Sequence, residues 1–345
     1  MTKKIRLGFV GCGFVAQQVH LPCFASNSRF CITHLSDPYE DMRTQIATRY
    51  GIENQFDSHK SLLSQSELDA VVVTLPRKLT FHVVRDLVLA GKYILAEKPI
   101  CLNSIYGNSL LEELASNRHS VMTAYMKQHD LGFLEFKRRI RKISLKDIIS
   151  IRGYCFMGNS YANPLGDIKG TQLADIDYQI QEFPGWLPSH LNKSFEQFIN
   201  VFSHLTHALE VAFDSQLVLE HVNINKDGEG LVFCSISSIP VCLELIRGVQ
   251  NQWREGIVVN TRSSQFELCF PPAFLRNVPA TLKSTSGKQE TIHESFMPEW
   301  SWSFQHQTDA FARFIDSGGD SHRDLQRAVR QVSFIEQIFK LAFSL

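Results

Sequence analysis

The sequence predicts an α/β protein: a doubly wound parallel sheet first, then an α+β domain with a large, mostly antiparallel sheet. Three observations carry this. From Ile5 to Ala124, short apolar runs alternate with helical stretches, the rhythm of parallel strands joined by right-handed crossovers. A glycine-rich turn, Gly11-Cys12-Gly13-Phe14-Val15-Ala16, separates the first such run from the first helix. After about Met126 the alternation gives way to successive strand-like runs with short turns, the pattern of antiparallel pairing.

The elements follow in order. Ile5–Val10 reads as a strand, with Gly8 allowing close packing. The glycine turn opens a helix that Pro22 interrupts or ends. Phe30–Leu35 is the second strand and runs into Ser36-Asp37-Pro38. Asp41–Tyr50 is helical and capped by Gly51, and Ser61–Ser66 is a short helix. Ala70–Thr74 is continuously apolar, as in a strand covered on both faces. Thr80–Ala90 is an amphipathic helix ended by Gly91, Tyr93–Ala96 a strand, Asn103–Asn117 a helix and Ser120–Ala124 a strand.

In the second half, Leu134–Ile143 is a basic helix and Asp147–Met157 a long strand. Asn159–Lys193 is polar and weakly periodic, a loop over a site. Ser194–Phe213 is a helix. Strands are expected at Leu217–Ile224, Gly230–Ser237, Pro240–Arg247, Gly256–Arg262 and Gln265–Phe270, and helices at Trp302–Ser317 and Arg323–Phe343. The expected domains are 1–125 and 126–345, the last helices packing back on the first.

A length of 345 residues favours two domains, and 44% hydrophobic residues suffice for two cores. Lys+Arg and Asp+Glu are both 35, so no general field draws the chain to nucleic acid or anionic membrane. The basic cluster Lys137–Lys142 lacks interleaved aromatics and reads as a solvated helix face. The eight cysteines form no Cys-x-x-Cys pair and read as buried free thiols in a reducing compartment. No secretory-type apolar segment and no apolar run of bilayer length is seen, so a cytoplasmic protein is expected.

Gly11-x-Gly13-x-x-Ala16 between strand and helix has the context of a dinucleotide fingerprint. Gly11 permits the tight turn, Gly13 the approach of a pyrophosphate, and Ala16 close helix–strand packing. The helix start at Phe14 and Val15 then favours the anion. Asp37 lies about 24 residues past Gly13, near the spacing of a ribose-binding acid, and argues for NAD over NADP. Other readings stay open: Asp37 caps the next helix or starts the Asp-Pro turn, and Arg43 admits a phosphate. Ala96-Glu97-Lys98-Pro99 places a lysine at the carboxyl end of an apolar strand, where ligands of doubly wound sheets bind. Its ammonium there is within the chemistry of a substrate hydroxyl; the alternative is a salt bridge to Glu97.

The glycine turn, Thr74-Leu75-Pro76, Ala90-Gly91-Lys92-Tyr93-Ile94 and Glu97-Lys98-Pro99 together resemble the Gfo/Idh/MocA oxidoreductases over the first 125 or so residues. The resemblance implies a Rossmann domain, a second domain on a large open sheet, and homodimers or homotetramers formed through that sheet. It implies hydride exchange between NAD(P) and a secondary carbinol or ketone of a sugar, nucleotide sugar or cyclitol. Gly11, Gly13, Phe14, Val15, Asp37, Thr74, Pro76, Glu97 and Lys98 would hold the cofactor, and Lys98 would be catalytic.

The family's Asp-x-Gly-x-His helix is matched by Asn200-Val201-Phe202-Ser203-His204. His204 falls on the catalytic His, Asn200 on the Asp, and Phe202 on the Gly. Asn200 and His204 are one helical turn apart and His207 follows on the same side. Asn200 can orient a hydroxyl but cannot act as a carboxylate base. Against the catalytic reading of His204 stands that of a core histidine bonded to backbone. His204 and His207 lack an acid or cysteine partner nearby, so no metal is expected. The family's His four residues after the Pro is replaced by Thr80, and Arg77-Lys78 either meet an anionic substrate group or sit in solvent. Lys127, Tyr161 and Trp186 are further substrate candidates; Trp186 stacks on a sugar or anchors its loop. Two other functions are compatible: a redox-neutral lyase or glycosidase using bound NAD, and a non-catalytic dinucleotide-binding sensor.

Overall fold

The computed structural model describes residues 4–64, 67–115, 120–158, 179–248, 253–287, 290–319 and 322–345. It divides into two compact units: Met1–Ala124, Leu165–Pro184 and Phe304–Val332, and Tyr125–Pro164, Gly185–Ser303 and Ser333–Leu345.

The first unit is built on β1 (Ile5–Val10), β2 (Phe30–Ser36), β3 (Asn54–Phe56), β4 (Ala70–Val73), β5 (Tyr93–Ala96) and β6 (Ser120–Thr123), in spatial order β3-β2-β1-β4-β5-β6. All neighbours are parallel. Sequence order reverses between β1 and β4, which makes the carboxyl edge there the ligand crevice of this topology. The apolar run of β4 is buried along its whole length, as a strand covered on both faces must be. The crossovers carry α1 (Leu21–Ser26), α2 (Glu40–Tyr50), α3 (His59–Leu63), α4 (Arg77–Leu89) and α5 (Ser104–Ala115).

The structure departs from the expectation at Pro22, which neither ends nor breaks the helix. A π-helical turn, Ala16–His20, precedes α1, and Pro22 lies in α1's first turn. Proline has no N–H and its ring crowds the carbonyl one turn back; the wider π turn fits with both constraints. β3 was not expected: three residues, two of them exposed, leave little periodic signal.

The second unit contains α6 (Leu131–Ile140), β7 (Ile148–Met157), α7 (Asn192–Val201), α8 (Ser203–Phe213), and strands β8 (Leu217–Ile224), β9 (Gly230–Ile236), β10 (Ile239–Arg247), β11 (Arg254–Thr261), β12 (Ser264–Phe270), β13 (Thr281–Ser286) and β14 (Ile292–Phe296). These form one sheet in the order β14-β13-β12-β11-β7-β10-β9-β8. Only β7 and β10 run parallel; the other neighbours are antiparallel. Val241, Leu243 and Leu245 alternate inward along β10. Gly256 pairs with Tyr154 and must lack a side chain, since a Cβ would stand 2.4 Å from the Leu268 carbonyl oxygen. β13 and β14 add two strands beyond the sequence expectation. Both are largely polar: they lie at the sheet's end, and β14 is its edge.

The helices α9 (Ser303–Asp316) and α10 (His322–Phe343) close the chain. In the first unit, Phe311 of α9 packs edge-on against Phe24 and stacks on Phe30. A Cβ on Gly107 of α5 would lie 2.7 Å from Val329 of α10, so close packing explains that glycine.

Candidate active site

In the first unit the ladder continues one residue past each central strand. The N–H of Gly11 donates to Ser36 (2.8 Å), that of Thr74 to Val10 (2.9 Å) and that of Glu97 to Val73 (2.9 Å). These bonds set Gly11, Thr74 and Glu97 along the carboxyl edge, with Asp37 beyond β2. Gly11 has φ 95° and a Cβ there would meet the Thr74 carbonyl at 2.4 Å, so only glycine serves. The Thr74 hydroxyl donates to the Gly11 carbonyl at 2.8 Å and locks the turn. A Cβ on Gly13 would meet nothing within 4 Å, which leaves open space above the backbone. Phe14 and Val15 begin the helix there and are half-buried. This cradle fits a dinucleotide pyrophosphate.

Asp37 is 1% exposed. Its carboxylate accepts from the Cys12 N–H at 2.8 Å and the Tyr39 N–H at 3.0 Å. Arg43 donates to the Asp37 carbonyl at 2.5 Å. The acid therefore clasps the glycine turn, and a ribose would have to reach it at a nearly closed surface. Burial, then the Asp37 charge, pushes the Cys12 thiol well up.

Pro76 precedes the first turn of α4, and its carbonyl accepts from Leu79 at 2.8 Å. Thr80 is 1% exposed inside α4. Lys98 is half-buried and joined to Pro99 by a cis peptide bond. Glu97 meets His20, their Oε1 and Nε2 atoms 2.7 Å apart, and accepts the Lys98 N–H at 3.2 Å. Lys78 lies over the Phe183 ring, 4.8 Å from its centre. Gln181, fully buried, donates its N–H to the Lys78 carbonyl and accepts the Leu102 N–H, both at 2.8 Å. Sequence reasoning missed His20 and Gln181. Glu97 lies 77 residues from His20 and Leu102 lies 79 from Gln181, and no local pattern marks such pairs.

In the second unit the expected single helix over Ser194–Phe213 is two. α7 and α8 are separated at Phe202, whose backbone is still right-handed helical. Phe195, Phe198, Ile199 and Phe202 recur at helical spacing and are buried. Phe202 meets Phe198 at 4.9 Å, so its bulk fills the core. Asn200, on the other side of α7, and His204 in α8's first turn are both half-buried. Tyr125 brings the two histidines together: His204 meets its ring edge-on at 5.7 Å, and His207 stacks on it at 3.8 Å. His207 is 1% exposed.

Lys127 is 5% exposed, ion-paired with Glu255, and 4.8 Å from the centre of the Phe270 ring. Glu255 also accepts from the Trp253 indole at 3.2 Å. The Lys127 ammonium is thus committed inside the unit, and a substrate would have to draw it out of that pair. Trp186 packs edge-on against Phe195, and Lys340 covers its face at 4.8 Å. Tyr161 lies outside the described residues. Among the described residues no His/Cys/Asp/Glu group is arranged to hold a metal, and no helix is long and apolar enough to cross a membrane.

A β3-β2-β1-β4-β5-β6 parallel sheet with an open glycine cradle at its switch point defines an NAD(P)-binding fold. Residues 5–125 match the family model GFO_IDH_MocA, described as an oxidoreductase family with NAD-binding Rossmann fold. Over those residues the chain is similar to the Gfo/Idh/MocA oxidoreductases. It is 25% identical over 222 residues to the inositol 2-dehydrogenase/D-chiro-inositol 3-dehydrogenase of Shouchella clausii (62% of this chain, 61% of that one). It is 31% identical over 182 residues to the dTDP-3,4-didehydro-2,6-dideoxy-alpha-D-glucose 3-reductase of Actinomadura kijaniata (51% and 53%). With these two relatives it spans somewhat more than half of their length. Among solved structures, the 3-ketoreductase KijD10 from Actinomadura kijaniata, in complex with NADP and TDP-benzene, superposes with a TM-score of 0.73 at 17% identity over 98% of both chains. A dehydrogenase (MviM) from Clostridium difficile gives 0.74 at 14% identity, over 98% of this chain and 99% of that one. At such identities the likeness shows the fold.

Proposed function

We propose that this protein is a nicotinamide-dependent dehydrogenase or ketoreductase acting on a secondary carbinol or ketone of a sugar, nucleotide sugar or cyclitol. The observation that carries the reading is the edge on which Gly11, Thr74 and Glu97 are set by extended ladder bonds, with Lys98 next in the chain. The named activities of the relatives, on inositol and on a dTDP-sugar, supply the substrate classes.

Bound nicotinamide supplies the hydride acceptor or donor. Lys98 hydrogen-bonds the reacting oxygen and moves its proton, His204 is the second acid–base group, and Asn200 orients a substrate hydroxyl. NAD is preferred over NADP. The support is the Asp37 carboxylate, whose charge would oppose a 2′-phosphate at the end of β2. Arg43 is engaged with the Asp37 carbonyl. Eight free cysteines support a reducing, cytoplasmic setting. Exposed Val218, Phe233 and Ile246 on the second unit's sheet support association of copies through that sheet.

Asn200 in place of an acid favours one competing reading, a dinucleotide-binding sensor without turnover. The experiment is a hydride-transfer screen of the purified protein against sugars, cyclitols, nucleotide sugars and their keto forms with NAD(H) and NADP(H). Turnover that collapses in Lys98→Ala supports the enzyme; nucleotide binding without turnover on any compound supports the sensor. A redox-neutral lyase would convert substrate without net NADH.

A further inference from the structure

We propose that His20 is a positioning residue for Lys98 and acts through Glu97. The inference rests on the proposed role of Lys98 and adds a residue that the glycine turn and Glu-Lys-Pro motif do not name.

Glu97 is held at three points. Its N–H donates to the Val73 carbonyl at 2.9 Å, continuing β5. Its Oε2 accepts the Lys98 N–H at 3.2 Å. Its Oε1 lies 2.7 Å from His20 Nε2. A carboxylate only accepts, so Nε2 carries the hydrogen. The side-chain exposures are 2% for His20 and 15% for Glu97, so the contact is shielded from water and strengthened accordingly.

His20 is itself fixed. It is the last residue of the π turn that precedes α1 and Pro22. The Phe304 ring meets the imidazole edge-on at 6.0 Å, and Phe24 lies at 6.4 Å. The chain path that follows the glycine cradle therefore ends on a donor that grips the residue before Lys98. One carboxylate bridges that donor and the Lys98 backbone. The nucleotide cradle and the lysine are thereby held to one frame.

The test uses the full chain, with NADH and the compound turned over fastest in the screen as probes. His20→Leu removes the donor; His20→Gln keeps an N–H. His20→Leu is expected to lower kcat by about 10–100-fold, the scale of a misplaced catalytic group. KM and NADH affinity stay within about threefold, and His20→Gln recovers most of the loss. In a Lys98→Ala background, His20→Leu adds no further loss, because it acts through that lysine. Where His20→Leu does not fold, Glu97→Met, which removes the acceptor that His20 donates to, replaces it with the same expected loss of kcat at unchanged KM and NADH affinity.

Wild-type kcat in His20→Leu, or losses that multiply with Lys98→Ala, overturn the proposal. A Lys98→Ala enzyme with full turnover overturns the function reading as well. Where no compound is turned over, the readout is the reductively [13C]methylated Lys98 resonance, assigned with Lys98→Arg. Its titration midpoint is expected to move in His20→Leu and hold in His20→Gln; an unmoved midpoint in His20→Leu overturns the proposal.

Discussion

The Asp37 carboxylate accepts the backbone N–H of Cys12 at 2.8 Å, so the acid after β2 closes directly onto the glycine turn. Its charge is fixed beside the cradle whether or not a ribose touches it. NADH should therefore bind more tightly than NADPH. Asp37→Asn keeps an acceptor for the turn and removes the charge. It should shift the NADH/NADPH affinity ratio toward NADPH by about tenfold, or ~1.4 kcal/mol, well within the Coulomb energy of charges a few ångströms apart. Fluorescence titration with both nucleotides measures this. Tighter NADPH binding by the wild type would refute the charge argument.

Lys98→Ala should lower turnover by roughly 10²–10⁴-fold, the usual range for a positioned acid–base group. Nucleotide affinity should change little, because the cradle at Gly11 and Gly13 is made of backbone. Steady-state rates beside NADH titration separate the two effects. Undiminished turnover would make Lys98 structural.

Lys127 and Glu255 form a buried pair, with side-chain exposures of 7% and 1%. Removing one partner leaves a buried charge unmatched, a loss typically about 3–5 kcal/mol. Glu255→Leu should be destabilised on that scale, and Lys127→Met with Glu255→Leu should recover much of it. Denaturant unfolding of both single variants and the double variant gives the coupling. If Lys127 binds substrate instead, Lys127→Met should raise KM with little effect on stability.

Arg138 first, then Arg139, holds the Glu135 carboxyl at about 2, below its ordinary value. A carboxyl depressed on folding adds stability above its unfolded pKa, about 4.3, and loses it as pH falls toward 2. Arg138 is 55% exposed, so the pairing is screened and contributes only about 0.2–1 kcal/mol. The Tm gap between wild type and Glu135→Gln should be open at pH 7, narrow below about 4.5, and close near pH 2. A gap that persists at pH 2 would show another cause.

What was legible in the sequence was local. Gly11, Gly13 and the apolar run of β4 announce themselves within a few residues of chain, and the strand–helix rhythm fixed the parallel sheet. What was not legible depends on partners far away. Nothing near His20 points to Glu97, and nothing near Lys127 points to Glu255. Lys127 therefore reads as an available cation, although the fold encloses it. Pro22 reads as an interruption or an end of its helix, yet the helical backbone runs on through a π turn into α1. β13 and β14 gave no alternation to read, because much of each is polar and partly open to solvent.

Asn200 and His204 flank Phe202, which keeps the helical backbone running between α7 and α8. One turn of spacing puts both on one side, away from the Phe195–Phe198–Phe202 stripe. Tyr125 sets the His204 ring from its edge. If His204 exchanges the substrate proton, His204→Ala should lower turnover by about 10²-fold or more and remove the near-neutral limb of the pH profile. Asn200→Asp places a carboxylate one turn from the imidazole and favours its protonated form. That variant should keep substrate affinity and move the limb to higher pH. The pH dependence of kcat/KM for wild type, His204→Ala and Asn200→Asp decides it. A limb that survives His204→Ala unchanged belongs to another group, and His204 would then be the core histidine that its contact with Tyr125 also allows.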